Sequence, residues 1–342
     1  MKKWFLILMI LLISSGAFGQ QVIINGAGAT FPYPLYSRWF YEFEKETGIK
    51  INYQSVGSGA GIQQAKAGTV DFGASDAPLP GKEQEESKLV MIPTVAGSIA
   101  IVYNLPNVGK GLKLTKELIA DIYLGKVKRW DDPKIKAFNK DINLPNIPIV
   151  VARRSDGSGT TAIFTNFLSA VSPEWKEKVG AGTSVNWPVG IGGKGNEGVA
   201  GIVKNTIGAI GYVEFAYAVQ NNLNYAQIKN KYGTFVYPSI ETVKYAASFF
   251  KLPEDFAVYI VDAPGKNSYP IAGYTFLLLK REYQDLEKAK AIIKFITWAY
   301  EKGDKYAEEL LYVPLPDNVK KLALKKLELI TYKGKKVVDL LK

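Results

Sequence analysis

Three short segments of the sequence combine glycine with a hydroxyl residue a few residues after a strand-like run. They are Gly28-Ala29-Thr30, Gly57-Ser58-Gly59 and Asp156-Gly157-Ser158-Gly159-Thr160. At the start of a helix, such a segment presents unpaired N–H groups and partial positive charge, and its glycines let the backbone approach a ligand. Taken singly, each segment is better explained by helix capping, which favours serine and threonine. Three in one chain make an anion-binding site a hypothesis of equal standing.

Arginine is rare in this chain, yet two of the five arginines lie just before the third segment. Arg153 and Arg154 stand among 43 basic residues, and the rest are almost all lysine. A guanidinium offers a planar fork of donors that suits an oxyanion, whereas lysine is a point charge. A surface ion pair between Arg154 and Asp156 is the alternative. Both can hold, because an arginine braced by a carboxylate is pre-organised for a ligand.

Asp76 follows the strand-like run 70–73 and precedes Ala77-Pro78. An aspartate at such a place is favoured as a turn residue. In an anion site it would repel the ligand, unless the ligand carries a proton that the carboxylate accepts. Phosphate carries such a proton near neutral pH, and sulfate does not. As part of the site, Asp76 would therefore select protonated oxyanions.

The composition excludes many classes of enzyme. The 342 residues include no histidine and no cysteine, so a Ser-His-Asp triad, a thiolate nucleophile, an iron–sulfur cluster and the usual zinc sites are excluded. A G-x-G-x-x-G match at 190–195 follows Asn186-Trp187-Pro188, a poor strand, so a dinucleotide site is not expected. We expect no cofactor and no metal. The formal charge of +11 comes mostly from lysine.

Residues 1–19 are typical of a secretory signal peptide. Lys2 and Lys3 precede an apolar run from Trp4 to Ile13, and Ala17-Phe18-Gly19 offers a small-residue cleavage site. The apolar run is too short for a transmembrane helix. We expect cleavage after Gly19 and a soluble exported protein.

Strand-like and helical patterns alternate along the rest of the chain. In the first helical pattern, Leu35, Trp39 and Phe43 share one face and Gly48 marks the end. The alternation predicts an α/β fold with mainly parallel sheets. The basic run Lys320–Lys326 is interpreted as the exposed face of the last helix. Strand-like runs lie at 22–25, 49–53, 70–73, 98–103, 147–152 and 274–279.

Motifs spread over nearly the whole mature chain resemble those of the periplasmic phosphate-binding proteins of ABC phosphate importers. The resemblance begins at about Gly26 and continues to near the C-terminus. The motifs that carry it are 26–32 (GAGATFP), 57–59 (GSG), 71–76 (DFGASD), 121–126 (DIYLGK), 154–160 (RSDGSGT), 187–188 (WP), 192–196 (GGKGN) and 208–212 (GAIGY), in this order.

The resemblance implies a type II periplasmic binding protein fold. In this fold, two α/β lobes are joined by two crossing strands, and the ligand is held in the cleft. The implied division is 20–93 plus 272–342 for lobe 1 and 94–271 for lobe 2, with crossings near Ile92–Val95 and Pro270–Gly273.

The resemblance also implies phosphate ligands in both lobes. Asp76 accepts the proton of phosphate, and Asp156 braces Arg154. The implied phosphate-binding residues are Thr30, Phe31, Ser58, Asp76, Arg154, Ser158, Gly159 and Thr160.

The function implied is high-affinity binding of inorganic phosphate in the periplasm and its delivery to the permease subunits of an ABC transporter. The chain would act as a monomer, without nucleic acid and without enzymatic activity. Two alternatives remain: an exported phosphatase on the same fold, and a receptor for another protonated oxyanion such as arsenate.

Overall fold

The computed structural model describes residues 21–341. The predicted signal peptide, residues 1–19, lies outside the described residues. Within them, no helix has the length and apolar character needed to cross a bilayer. The strands are β1 (Ile23–Gly28), β2 (Lys50–Ser55), β3 (Phe72–Ser75), β4 (Leu89–Tyr103), β5 (Lys113–Thr115), β6 (Val150–Arg154), β7 (Ile191–Gly193), β8 (Ala209–Glu214), β9 (Asn224–Tyr225), β10 (Gln227–Lys229), β11 (Phe235–Val236), β12 (Ile260–Val261), β13 (Ile271–Lys280), β14 (Glu282–Tyr283), β15 (Val313–Pro314), β16 (Thr331–Tyr332) and β17 (Lys335–Lys336).

Helices connect most of these strands. Leu327–Leu329 and Val337–Leu340 are short 3-10 helices. The α-helices are α1 (Tyr33–Thr47), α2 (Ser58–Ala67), α3 (Gly81–Glu86), α4 (Lys116–Tyr123), α5 (Pro133–Lys136), α6 (Gly159–Val171), α7 (Pro173–Lys178), α8 (Gly195–Asn205), α9 (Phe215–Gln220), α10 (Ile240–Ala247), α11 (Leu286–Lys302), α12 (Asp304–Glu309) and α13 (Asp317–Lys326).

The long strand β4 joins two parts of one sheet, whose order is β2-β1-β3-β13-β4-β8-β6-β7. Residues 89–98 of β4 pair antiparallel with β13, and residues 99–103 pair antiparallel with β8. On one side β1 runs parallel to β2 and β3, and on the other β6 runs parallel to β7 and β8. The chain therefore forms two α/β lobes connected through β4 and β13, and the predicted α/β class is confirmed. The expectation of mainly parallel sheets is wrong, because the connecting strands pair antiparallel and make the sheet mixed.

The two connecting strands carry an irregularity at their centre. The β4–β13 register shifts where Thr275 opposes Val95 and Phe276 opposes Pro93, so Thr94 is the extra residue of a bulge. A bulge accommodates a proline inside a strand, because the missing N–H is not needed for the ladder there. The lobe division at 93/94 and 271/272 stays a prediction, since β4 is continuous across the first of these points.

Helix α1 follows its predicted pattern. Leu35, Trp39 and Phe43 are buried, and Gly48 ends the helix in a left-handed conformation with φ 72°, its N–H donating to the carbonyl of Glu44 at 2.8 Å. A glycine adopts this φ without steric cost, which explains the sharp stop.

Lys320 corrects the interpretation of the last basic run as an exposed face. Its Nζ lies buried on α13, donating to the carbonyl of Tyr300 at 2.8 Å and to Asp304 Oδ2 at 2.6 Å. Lys321 and Lys325 are exposed, as predicted. A lysine buries its stem when acceptors meet its ammonium group, and the sequence pattern alone does not show those acceptors.

Candidate anion-binding site

Each Gly/hydroxyl segment follows the carboxyl end of a parallel strand. Thr30 lies two residues after β1, Ser58 begins α2 after β2, and Asp76 follows β3. In the second lobe, Arg154 ends β6 and Ser158 precedes α6. Carboxyl ends of parallel strands meet at one edge of a sheet, where α/β proteins bind ligands. The fold therefore brings the predicted residues together without long loops.

The segments of the two lobes are in direct contact. The amide of Gly59 donates to the carbonyl of Gly157 at 2.9 Å. A Cβ added to Gly159 would lie 2.5 Å from Ser58 Oγ and 2.6 Å from Asp76 Oδ2. No real side chain fits at those distances, so the lobes approach this closely only because residue 159 is glycine.

The carboxylate of Asp76 lies in the cluster of predicted site residues, and another residue makes the turn that follows β3. The hydroxyl of Ser75 donates to the carbonyl of Ala77 and accepts from its amide, so Ser75 forms the turn. Asp76 Oδ1 accepts from Thr275 Oγ1 at 2.7 Å. Its other oxygen, Oδ2, lies 3.4 Å from Ser58 Oγ, facing the second lobe. The structure thus favours the site interpretation of Asp76 over the turn interpretation.

Burial raises the pKa of Asp76 to about 7, although the hydrogen bond from Thr275 and the charge of Arg154 lower it in part. Desolvation penalises the ionised carboxylate, and here it outweighs both favourable contacts. Near neutral pH this group exchanges a proton readily. It is thus suited to accept one from a ligand.

Arg154 forms a buried ion pair with Asp156. Its Nε and Nη2 donate to the two carboxylate oxygens at 2.7 and 2.5 Å, and the arginine side chain is only 1% exposed. Burial acts to raise the pKa of Asp156, but the hydrogen bonds and charge of Arg154 outweigh it and lower that pKa. Arg154 and Asp156 therefore do form the ion pair of the alternative interpretation, but this pair does not lie at the surface. Arg153 is half-buried and donates instead to the carbonyl of Arg154.

The backbone supplies further donors. Thr30 and Phe31 are buried, and their amides meet no acceptor among residues 21–341. Buried N–H groups are rarely left unpaired, so these two indicate a place for an anion. Gly159 and Thr160 hold the first two positions of α6, where a helix lacks intrahelical acceptors for its amides.

Ser158 has a mixed role in the cluster. Its hydroxyl accepts from the amide of Thr161 as the N-cap of α6, and its own amide donates to the carbonyl of Thr183 at 2.9 Å. Its amide is therefore not available to a ligand, whereas its hydroxyl hydrogen and one lone pair are. Neither Thr30 nor Ser58 caps a helix in this way.

Comparison with known proteins shows the family to which the chain belongs. A model described as a PBP superfamily domain matches residues 15–302. The Phosphate-binding protein PstS of Xylella fastidiosa (strain 9a5c) is 48% identical over 88% of this chain and 84% of its own length. The protein of that name from Methanocaldococcus jannaschii is 41% identical over 91% of this chain and 87% of its own length. The chain belongs to the PstS phosphate-binding protein family.

Solved structures support the two-lobed fold of this family. A high affinity periplasmic phosphate-binding protein bound with phosphate superposes with a TM-score of 0.71 at 23% identity, covering 88% of this chain and 92% of its own. The type II periplasmic binding fold predicted from the motifs is thus confirmed, and so is the predicted family.

Three residues of this PstS-family site escaped the sequence-based prediction. Asn196, Thr275 and Tyr217 touch the predicted residues from distant parts of the chain: Asn196 donates to Thr30 Oγ1, Thr275 to Asp76, and the Tyr217 hydroxyl to the carbonyl of Thr30 at 2.6 Å. The sequence contains a signal for Thr275, because it is a polar residue inside the apolar strand β13. Asn196 had one too, because it directly follows the G-x-G-x-x-G match at 190–195.

Proposed function

We propose that this chain binds inorganic phosphate outside the inner membrane and delivers it to an ABC-type permease. The observation that carries the proposal is the meeting of donors from both lobes at one ionisable acid, Asp76. The PstS relatives and the phosphate-bound neighbour, by their names, support the same ligand. In this proposal, the residues predicted from the motifs bind the ligand, and the protein acts as a non-enzymatic receptor.

The charges in the cluster suit a ligand that brings its own proton. The positive charge of Arg154 is balanced by Asp156 at hydrogen-bond distance. Amides and hydroxyls therefore supply much of the attraction, and hydrogen bonds from such groups to a charged ligand contribute about 1.5–3 kcal/mol each. An ionised Asp76 accepts the proton of hydrogen phosphate and repels sulfate, which has none to give.

Binding would close the lobes about β4 and β13. Thr30 and Ser58 belong to one lobe and Arg154 and Thr160 to the other, so an anion bound by all four fixes the lobes against each other. A ligand shifts such an equilibrium by the difference in its affinity for the open and closed forms. Delivery to a permease would follow from recognition of the closed form, in the periplasm and by the monomer.

Calorimetry of phosphate-stripped protein with phosphate, sulfate and arsenate tests the proposal. We expect phosphate to bind with a Kd of about 1 μM or tighter, since several charge-assisted bonds together exceed about 8 kcal/mol after association costs. Sulfate should bind at least about 100-fold more weakly, which corresponds to about 2.7 kcal/mol. Equal affinities for phosphate and sulfate would overturn the proposal, and equal affinities for phosphate and arsenate would assign a broader ligand class.

Asp76→Asn sharpens that experiment, because an amide can donate to sulfate where the carboxylate repels it. We expect the preference for phosphate over sulfate to fall by about tenfold or more. Asp141→Asn, at an exposed position, is the matched control and should leave the preference unchanged. An unchanged preference in Asp76→Asn would remove Asp76 from its assigned role.

A further inference from the structure

We propose that Asn196 is a positioning residue that forces the hydroxyls of Thr30 and Thr160 to act only as donors to the bound anion. The inference rests on the proposed function and deepens it. It gives a physical reason why the ligand proton would be directed to Asp76 and to neither threonine.

Asn196 is fully buried at the start of α8 and uses all of its donors within the cluster. Its Nδ2 donates to Thr30 Oγ1 at 2.7 Å and to Thr160 Oγ1 at 3.0 Å, and its backbone amide donates to Thr30 Oγ1 at 3.2 Å. These bonds connect one lobe to the other, because Thr30 follows β1 and Thr160 lies in α6.

The orientation of the Asn196 side-chain amide follows from its fourth hydrogen bond. The backbone N–H of Glu214 points at Asn196 Oδ1 at 2.8 Å. A backbone N–H is always a donor, so the atom facing it must be the oxygen, and the NH₂ group must face the two threonines. The direction of both threonine contacts is therefore determined by chemistry.

Each threonine hydroxyl can then only donate a hydrogen bond to a ligand. A hydroxyl has one hydrogen and two acceptor lone pairs. Thr30 Oγ1 accepts twice from Asn196, and Thr160 Oγ1 accepts from Asn196 and, at 3.4 Å, from Arg154 Nη1. Neither hydroxyl donates to an acceptor among residues 21–341, so the hydrogen of each is free for a ligand oxygen.

The donor-only role of these two hydroxyls affects specificity. A hydroxyl that rotates freely donates to an unprotonated oxygen and accepts from a protonated one with equal ease, and so it discriminates poorly. Two hydroxyls that only donate require unprotonated ligand oxygens at their positions. The ligand proton is then directed to Asp76 Oδ2, which faces the second lobe beside Gly159.

Asn196→Asp reverses the polarity while preserving the shape. A carboxylate only accepts, so both threonine hydroxyls would turn their hydrogens to it and present lone pairs to the anion, and the new charge would add repulsion. We expect phosphate affinity to fall by about 100-fold or more. Asn205→Asp is the matched control: Asn205 is exposed at the other end of α8, and its Nδ2 meets only the carbonyl of Gly201. It should bind phosphate within about threefold of the unaltered chain.

A double-mutant cycle separates positioning from a merely structural role. If Asn196 acts through the Thr30 hydroxyl, then Asn196→Ala costs less affinity once Thr30→Val has removed that hydroxyl, and the two losses differ by about fivefold or more. Losses that simply multiply would overturn the proposal. The cycle also carries the test if Asn196→Asp does not fold, as judged by circular dichroism.

The failures of this inference and of the proposed function are distinguishable. An unaltered chain that does not bind phosphate overturns the proposed function. An unaltered chain that binds phosphate, while folded Asn196→Asp binds it within about threefold, overturns only the role of Asn196.

Discussion

Lobe 1 brings to the site an acid held by hydroxyl groups, whereas lobe 2 brings a guanidinium held by an acid. Asp76 is supported by Ser58 of its own lobe and by Thr275 of the connecting strand β13, and burial raises its pKa to about 7. Arg154 is supported by Asp156, whose pKa is lowered by the pairing. The pKa of Asp76 is thus close to neutral pH, whereas Asp156 stays ionised. The difference suggests that Arg154 of lobe 2 provides affinity for oxyanions in general, whereas Asp76 of lobe 1 discriminates between them.

The largest expected effect comes from a substitution at the lobe 2 side of the site. Arg154→Ala removes the charged donor and leaves the Asp156 carboxylate without its partner, so that its uncompensated charge repels an anion. We expect phosphate affinity to fall by roughly 100- to 1000-fold in calorimetry, with phosphate and sulfate affected alike. Arg153→Ala, the adjacent residue, is the control and should change affinity little. A loss confined to phosphate would contradict the division of roles between the lobes.

An intermediate effect is expected where the two lobes meet. In Gly159→Ala, the added Cβ collides with Ser58 Oγ and Asp76 Oδ2, and overpacking of this kind costs about 1–3 kcal/mol. We expect a loss of phosphate affinity of roughly 10- to 100-fold without loss of fold. Gly201→Ala has open space around its Cβ and lies inside α8, so it should bind normally and unfold at a slightly higher temperature. Normal phosphate binding by Gly159→Ala would show that close contact of the lobes is not needed.

The smallest expected effect concerns the pKa of Asp76. Thr275 donates to the ionised carboxylate and so lowers this pKa, which means that Thr275→Val raises it further above its ordinary value, by about one unit. Below its pKa Asp76 is neutral and no longer repels sulfate, so sulfate affinity rises as the pH falls through that value. In Thr275→Val we expect this rise to begin at a higher pH.

Sulfate is the suitable probe for that measurement, because it does not titrate between about pH 5 and 9, whereas phosphate does. Thr297→Val, which removes only a bond to the carbonyl of Ile293 within α11, should leave the pH profile unchanged. A profile that moves to lower pH in Thr275→Val would show that the Thr275 hydroxyl does not stabilise the charged form.

The residues that could be predicted from the sequence are those whose chemistry is local. Thr30, Ser58 and Asp76 each follow a strand within a short turn, and repeated turns that combine glycine with a hydroxyl residue favour anion binding as well as capping. The arginine pair was visible because arginine is otherwise rare. The family motifs then separated Arg154 from Arg153, and the geometry of the ion pair with Asp156 agrees with that choice.

The residues that escaped prediction act across long stretches of chain. Asn196 reaches Thr30 from 166 residues away, and Thr275 reaches Asp76 from 199 residues away. No spacing in a single sequence reports such contacts, because the packing of distant segments creates them: Asn196 meets Thr30 where the lobes touch, and Thr275 lies on β13, which pairs with β3. Lys320 was misinterpreted for the same reason, since its acceptors belong to α11 and α12.

The direct bonds between the lobes bear on how long a ligand stays bound. Tyr217 and Asn196 hold the Thr30 segment by protein–protein hydrogen bonds, in addition to any bond that the ligand makes. On the proposed function, separation of the lobes for release would also break these bonds. We therefore expect a residence time longer than the ligand contacts alone would give, with differences in affinity mainly in the dissociation rate. A partner that unloads the protein would act most effectively by drawing the starts of α8 and α9 away from that segment.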